Sequence, residues 1–458
     1  MLCAHHETPG GLVAEDLIRN WLNENQISEV ECVVPDMAGN ARGKFIPADK
    51  FIKEDSRLPQ AILVSTVTGD YTEEESELVG PTDSDMMLVP DPDAMRVVPW
   101  ATEPTGMIIH DCFTREGDLH PLATRNVLRQ VLKLYEQEGW QPIVAPEVEF
   151  YLVQKNPDPD MELQPPIGRS GRREAGRQSY SIDAVNEFEH IVEEMYDHCE
   201  AQQLDVDTLI HESGLAQMEV NFLHGDALNL ADQVFVFKRT MRETALRNGM
   251  FATFMAKPMA KEPGSALHIH QSIVDKDGGR NIFSSEDGEE HERFRHFIGG
   301  LQHYTPGAIA FFAPNVNSYR RLSPDFAAPT NMHWGHDNRT TGIRVPDSGP
   351  QARRVENRFP GADCNPYLAI AVSLACGYLG MKQRIDPLPP HEGDAYSEPL
   401  TVARNLEEAL RLLDEHDDLK EVLGSHFIRA YHAVKSHEFE MFNKVISSWE
   451  REYLLLNV

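Results

Sequence analysis

Four stretches between residues 142 and 359 alternate apolar and polar positions with a period of two, the pattern of strands that bury one face. PIVAPEVEFYLV (142–153) is apolar apart from Glu147 and Glu149, which share a face. LAQMEVNF (215–222) sets Gln217 and Glu219 against Met218, Val220 and Phe222. ALHIHQSI (266–273) sets His268, His270 and Ser272 against Leu267, Ile269 and Ile273. RRVENRF (353–359) sets Arg354, Glu356 and Arg358 against Val355 and Phe359. Paired side by side, these strands predict a sheet with an apolar back and a highly charged front.

Elsewhere the texture divides in two. Residues 26–118 hold short β-like runs and turn signals, with no long helical period after about residue 60, which predicts a small, mainly β unit. From residue 119 the pattern changes: Val127, Leu128, Val131, Leu132 and Tyr135 form a helical stripe that closes at Gly139. Helices are also expected over 189–203, 231–248 and 366–384, and Pro/Gly-rich loops over 156–178 and 386–399. Long loops inside a compact domain are often functional.

Charge narrows the functional classes. The 458 residues include 42 Lys and Arg against 73 Asp and Glu, a net charge of −31, so no basic footprint for nucleic acid is present. An acidic field attracts cations, metals or cationic metabolites. The six cysteines lack CxxC spacing and read as free thiols. MLCAHHETPGG has no basic segment leading into an apolar core, and PYLAIAVSLACGYLGM is shorter than the ~20 residues of a membrane span. A cytoplasmic protein without membrane or nucleic-acid partners is expected.

The predicted front gathers Glu147, Glu149, Glu219, His268 and Glu356, with Glu212 seven residues before Glu219. Carboxylates with one imidazole suit hard divalent cations such as Mg²⁺ or Mn²⁺. Six candidate ligands exceed what one ion usually takes, so two or three ions are expected, a grouping that implies phosphoryl chemistry. Singly, a Glu-x-Glu pair is more often a solvated edge, and an Arg-Glu-Arg alternation a surface ion-pair ladder. Together, each backed by an apolar face, they describe a site. Arg320, Arg321, Arg339, Arg344, Arg354 and Arg358 fall within forty residues, a supply of groups that clamp carboxylates and phosphates.

The segments APEVEF, HESGLAQMEV, MAKPMAKEPGSALHIHQS, NSYRRLSP, NRTTGIRVP and ARRVENRFPGADCNPYLA resemble the glutamine synthetase family in order and spacing, over nearly the whole chain. The resemblance implies an α+β fold: a small N-terminal β-grasp domain (26–118) and a large catalytic domain (119–458) with a curved antiparallel sheet flanked by helices. It implies a ring homo-oligomer, hexamer or dodecamer, with active sites between neighbouring subunits. By position, Glu149, Glu212 and Glu219 would bind one metal ion, and Glu147, His268 and Glu356 a second towards the ATP phosphates. Gly264, Arg321 and Arg358 would hold L-glutamate, Arg339 and Arg344 would face the transferred phosphoryl group, and His270 and Ser272 would lie near the nucleotide. Glutamate would attack ATP to give a γ-glutamyl phosphate, which an amine converts to an amide.

The chain departs from ammonia-using members at the acceptor. Where they carry a glutamate before an Ala-Pro pair, RRLSPDFAAPT has Ala327. Their ammonium-binding aspartate has a loose counterpart in Asp70 of TVTGDYTEE, and Pro263 replaces the asparagine before Gly264. Losing the carboxylate removes the anchor for ammonium and leaves room for an alkylamine. Relatives that join glutamate to putrescine and other amines resemble this pattern more closely, so a γ-glutamyl-polyamine or γ-glutamyl-amine synthetase is expected. Asp70, Asp325 or an acid from a second subunit would serve as base. The alternatives are a glutamine synthetase using ammonia and a non-catalytic binding member. Tyr396 lies in GDAYSEP, without the Asn-Leu-Tyr-Asp context of the adenylylated loop in bacterial relatives.

Overall fold

The computed structural model describes residues 9–324 and 327–458, with side chains from Glu15 onward. Five strands, β1 (Glu29–Pro35), β2 (Ala41–Pro47), β3 (Ser56–Pro59), β4 (Asp85–Val97) and β5 (Thr105–Phe113), form a small sheet. Their order is β2-β1-β5-β4-β3, and β1 runs parallel to β5. A helix over Pro9–Glu24, which the β-like texture did not suggest, leads into this sheet.

The larger sheet is built on β6 (Trp140–Gln154). Its other members are β7 (Val206–His211), β8 (Gln217–Phe222), β9 (Gly225–Asp226), β10 (Met250–Thr253), β11 (Leu267–Asp275), β12 (Trp334–His336), β13 (Ile343–Val345) and β14 (Val355–Asn357). The order is β12-β13-β14-β11-β6-β8-β7, with β9 and β10 also paired to β6. The pairs are antiparallel, as expected, except that β12 and β13 are parallel, which makes the sheet mixed. Parallel pairing depends on how the chain returns through space, which local alternation does not encode. Pro142 and Pro146, which cannot donate to a ladder, precede the segment Glu147–Tyr151 that has β8 on its far side.

The apolar back of β6 packs on the helices Thr124–Gln137 and Ala227–Arg247, with Phe150 edge-on to Phe237 at 6.0 Å between ring centres. Asp226 caps the second of these by accepting from the amides of Leu228 and Asn229. The apolar run from Pro366 is a buried helix, Pro366–Gln383, capped by Asn365. It lies against the helix Glu292–Phe312 so closely that a Cβ on Gly300 would come within 2.2 Å of the Cys376 carbonyl. Asn365 Nδ2 also donates to the Asp36 carbonyl (2.9 Å), tying the helix to the small sheet. The main core runs without a break from Val33 of β1 to Val434 near the C-terminus.

Cys32, Cys112, Cys199, Cys364 and Cys376 are free and buried, as the spacing suggests; Cys3 lies outside the described residues. Among the described residues no helix is long and apolar enough to cross a membrane.

Candidate active site

Strand register brings the charged residues together. Glu147 stands opposite His268 across β6 and β11, and Glu149 opposite Glu219 across β6 and β8. His270 is opposite Glu356 across β11 and β14, and Glu356 opposite Arg344 across β14 and β13. The four alternating stretches therefore share one front, as their period requires.

Glu147 accepts from both histidines: its Oε1 lies 2.9 Å from His270 Nε2 and its Oε2 3.3 Å from His268 Nδ1. Arg354 Nε donates to His270 Nδ1 (3.2 Å), which leaves Nε2 as the His270 donor. Glu356 takes Arg344 Nη1 on Oε2 (2.8 Å) and Arg358 Nη1 on Oε1 (2.6 Å). Arg344 also binds Asp337 at 2.5 Å. Glu149 Oε2 accepts from the Ala266 amide (2.8 Å) and Gln217 Nε2 (3.2 Å).

Electrostatically the front has two halves. Burial alone would raise Glu147 and Glu356, but hydrogen bonds from His268 and His270 hold Glu147 well below the carboxylate range, and mainly Arg358 brings Glu356 down to about 2. His268 is pushed down to about 4 by burial and by the Arg358 charge. The other half lacks such compensation. Burial, then the charge of Glu212, raises Glu149; burial, then Glu149, Glu147, Glu212 and Glu356, raises Glu219 further. Burial and the Glu147 charge raise Glu212.

Buried carboxylates that repel one another are a donor set a hard divalent cation satisfies, so the residues present fit bound Mg²⁺ or Mn²⁺. Ligand atoms of Glu147, Glu219 and His268 lie within 4.8 Å of one another, as do those of Glu147, His270 and Glu356. Glu147 is common to both groups, and His270 is as well placed to ligate as His268.

The remaining candidates surround this front. Arg321 is buried and donates to the carbonyls of Phe359 (2.8 Å) and Arg358 (2.9 Å). A Cβ on Gly264 would meet Arg321 Cγ and the Ala256 carbonyl at 2.6 Å, so only glycine fits there. Ser272 lies on the histidine face of β11, opposite Ile143. Arg339 is exposed on the turn before β13, and its charge only partly opposes the burial that raises Glu212; the Tyr396 hydroxyl reaches its carbonyl at 3.5 Å. Ala327 is exposed with φ 59°, and Asp325 lies outside the described residues. Asp70 is held elsewhere: its Oδ2 accepts from Thr68 (2.9 Å), in a loop whose Val67 amide donates to Glu438 and whose Thr68 hydroxyl meets Met441, both of the helix Ser425–Asn443.

Sequence reasoning missed the support beneath Glu212. Glu174, in the loop 156–178, accepts from the Ala216 amide (2.6 Å) and pairs with His211 Nε2 (3.2 Å), fixing the turn that carries Glu212 and leads into β8. Its only signal was the loop's length.

A family model described as the glutamine synthetase catalytic domain matches residues 121–454. The chain belongs to the glutamine synthetase family. It is an ATP-dependent glutamate–amine ligase of that family. It is 32% identical over 435 residues to the gamma-glutamylputrescine synthetase PuuA of Escherichia coli K12 (93% of this chain, 92% of that one). It is 31% identical over 450 residues to a glutamate–isopropylamine ligase of Pseudomonas sp (94% and 96%). The glutamine synthetase of Pyrococcus woesei is 32% identical over 453 residues (94% and 97%). Among solved structures, a GmaS/ADP complex superposes with TM-score 0.83 and 27% identity over 96% of this chain and 99% of that one.

Proposed function

We propose that this ligase joins the γ-carboxyl group of L-glutamate to a primary alkylamine, with a polyamine such as putrescine as the preferred class. Identity alone does not choose the acceptor, since amine ligases and glutamine synthetases match equally well. The observation that carries the reading is Ala327. At an exposed position where ammonia-using members place a glutamate, it offers no charge to hold ammonium and no bulk to exclude a carbon chain.

In this reading Gly264, Arg321 and Arg358 hold glutamate, the tight Gly264–Arg321 packing fixing the wall against which it lies. Its γ-carboxylate oxygen attacks the γ-phosphorus of ATP and ADP leaves. Arg339 and Arg344 face the transferring group, where guanidinium charge is most useful. His270 and Ser272 lie towards the nucleotide. Glu147, Glu149, Glu212, Glu219, His268 and Glu356 would hold two or three Mg²⁺ or Mn²⁺ ions, which when bound neutralise the phosphate charge. The amine nitrogen then attacks the acyl carbon, phosphate leaves, and the amine's surplus proton passes to a carboxylate. Asp70 is the candidate for that proton. Its exposed position suits service to a neighbouring copy in a ring, the assembly we infer for this chain.

The test is phosphate release from ATP with glutamate and Mg²⁺, with putrescine, spermidine, a monoamine or ammonium as acceptor. Turnover with an alkylamine at least tenfold above ammonium is expected. Faster turnover with ammonium would overturn the reading.

A further inference from the structure

A second chemistry lies away from the carboxylate front. A cavity of about 220 Å³ opens between the β1–β2 turn (Met37–Asn40), the helix Ala227–Arg247 and the helix Ser425–Asn443. On that measure one water needs only about 10–15 Å³, so the space admits a small organic molecule.

Its wall is cationic in a chain of net charge −31. Lys238, Arg242 and Lys435 line it, against Asp363 as the single carboxylate among the described lining residues. Lys435 is satisfied by Glu438 at 2.8 Å. Asp363 is engaged through Oδ2, which accepts from Asn315 (2.8 Å) and Ser318 (2.6 Å), while its Oδ1 is buried with no hydrogen-bond partner. Lys238 and Arg242 are not matched in this way. Four residues apart on one helix, they project to the same side, where like charges repel. Lys238 is buried, and its ammonium meets one neutral acceptor, the Cys364 carbonyl at 2.8 Å. Arg242 sits exposed at the mouth. Both cations lie over the Phe254 ring, at 5.7 Å and 5.1 Å from its centre. Burial, with the Arg242 charge, pushes the Lys238 amine down to about 8, and the Asp363 charge offsets only part of that.

We propose that this cavity binds a small oxyanion, a phosphate or a dicarboxylate, between Lys238 and Arg242. The site is separate from the carboxylate front yet adjoins it, because Asp363 in its wall holds Ser318 of the turn that carries Arg321.

Calorimetric titration with inorganic phosphate and with glutarate, in metal-free buffer, tests this and separates the two sources. The wild-type chain, Arg242→Gln and Arg339→Gln are compared. Arg242 lies at the surface, so its replacement spares the core. At least one anion should bind saturably to wild type and equally to Arg339→Gln, and Arg242→Gln should weaken it about tenfold or more. No saturable binding of either anion would overturn the proposal. So would binding that survives Arg242→Gln, or that is lost in Arg339→Gln.

Discussion

Glu149 and Glu219 face each other directly across β6 and β8, two carboxylates in a buried cross-strand pair. Like charges so placed destabilise a sheet. Glu219→Gln should therefore stabilise the metal-free protein by about 1 kcal/mol while removing most of its response to Mg²⁺. For wild type, Mg²⁺ at a hundred times Kd should add about 2.7 kcal/mol. Urea unfolding with Mg²⁺ and with chelator measures both effects, and an unchanged Mg²⁺ response in the variant would remove Glu219 from the metal site.

Restoring the acid should restore the acceptor. Ala327→Glu should raise the ammonium-to-putrescine ratio of kcat/KM by at least about tenfold, an ion-pair contribution near 1.4 kcal/mol. The left-handed backbone at φ 59° costs a longer side chain little more than it costs alanine. Steady-state kinetics with both acceptors decide it.

Arg125 is buried among three carboxylates: Asp232 (2.8 Å), Asp91 (2.7 Å) and Asp111 (2.5 Å). It joins β4 and β5 of the small sheet to the helix Ala227–Arg247 of the larger unit. Arg125→Met takes the paired cation from Asp232 and leaves Asp91 and Asp111 to Arg129 alone (2.7 and 2.8 Å), and should cost about 3–5 kcal/mol in denaturant unfolding. A loss below about 1 kcal/mol would mean that the acids simply take up protons.

His110 is fully buried and its ring is pushed down to about 4 by burial, against an ordinary value of 6.5. Unfolding frees it to bind a proton. Its contribution is thus complete above pH 6.5, falls as the pH drops, and is lost by pH 4. The span corresponds to about 3 kcal/mol. Stability measured from pH 7 to pH 4 should be flatter in His110→Phe than in wild type.

The C-terminal residues Val445, Ile446, Trp449, Leu455 and Leu456 are all more than half exposed, an apolar run that a single chain leaves uncovered. Deleting residues 445–458 keeps the helix Ser425–Asn443 and should lower the particle mass seen by light scattering. A mass lowered by no more than the deleted residues would mean that this run makes no subunit contact.

The front of the large sheet was legible because a strand's period is two: once Glu147 and Glu149 are seen beside apolar neighbours, their shared face follows. The stripe from Val127 to Tyr135 likewise marked the helix Thr124–Gln137. The parallel pairings of β1 with β5 and β12 with β13 were not legible, since partners are chosen by the path of the whole chain. Pro306 and the pair Gly299–Gly300 disfavour a helix by intrinsic propensity, yet they lie inside the helix Glu292–Phe312, where close packing on Pro366–Gln383 outweighs it. Glu174 and the Lys238–Arg242 pair carry no periodic signal, because only tertiary contact gives them meaning.

The fifteen residues of β6 act as a ruler. β11 and β8 read their register from it, so spacing along this strand is fixed to the single residue. A deletion between Trp140 and Glu147 would turn both acids into the core and send Val148 out to the substrates. The exposed stretch 157–162 of the following loop, by contrast, can lengthen without moving Glu174. Lineages of this enzyme should therefore vary in length beside the strand and never within it.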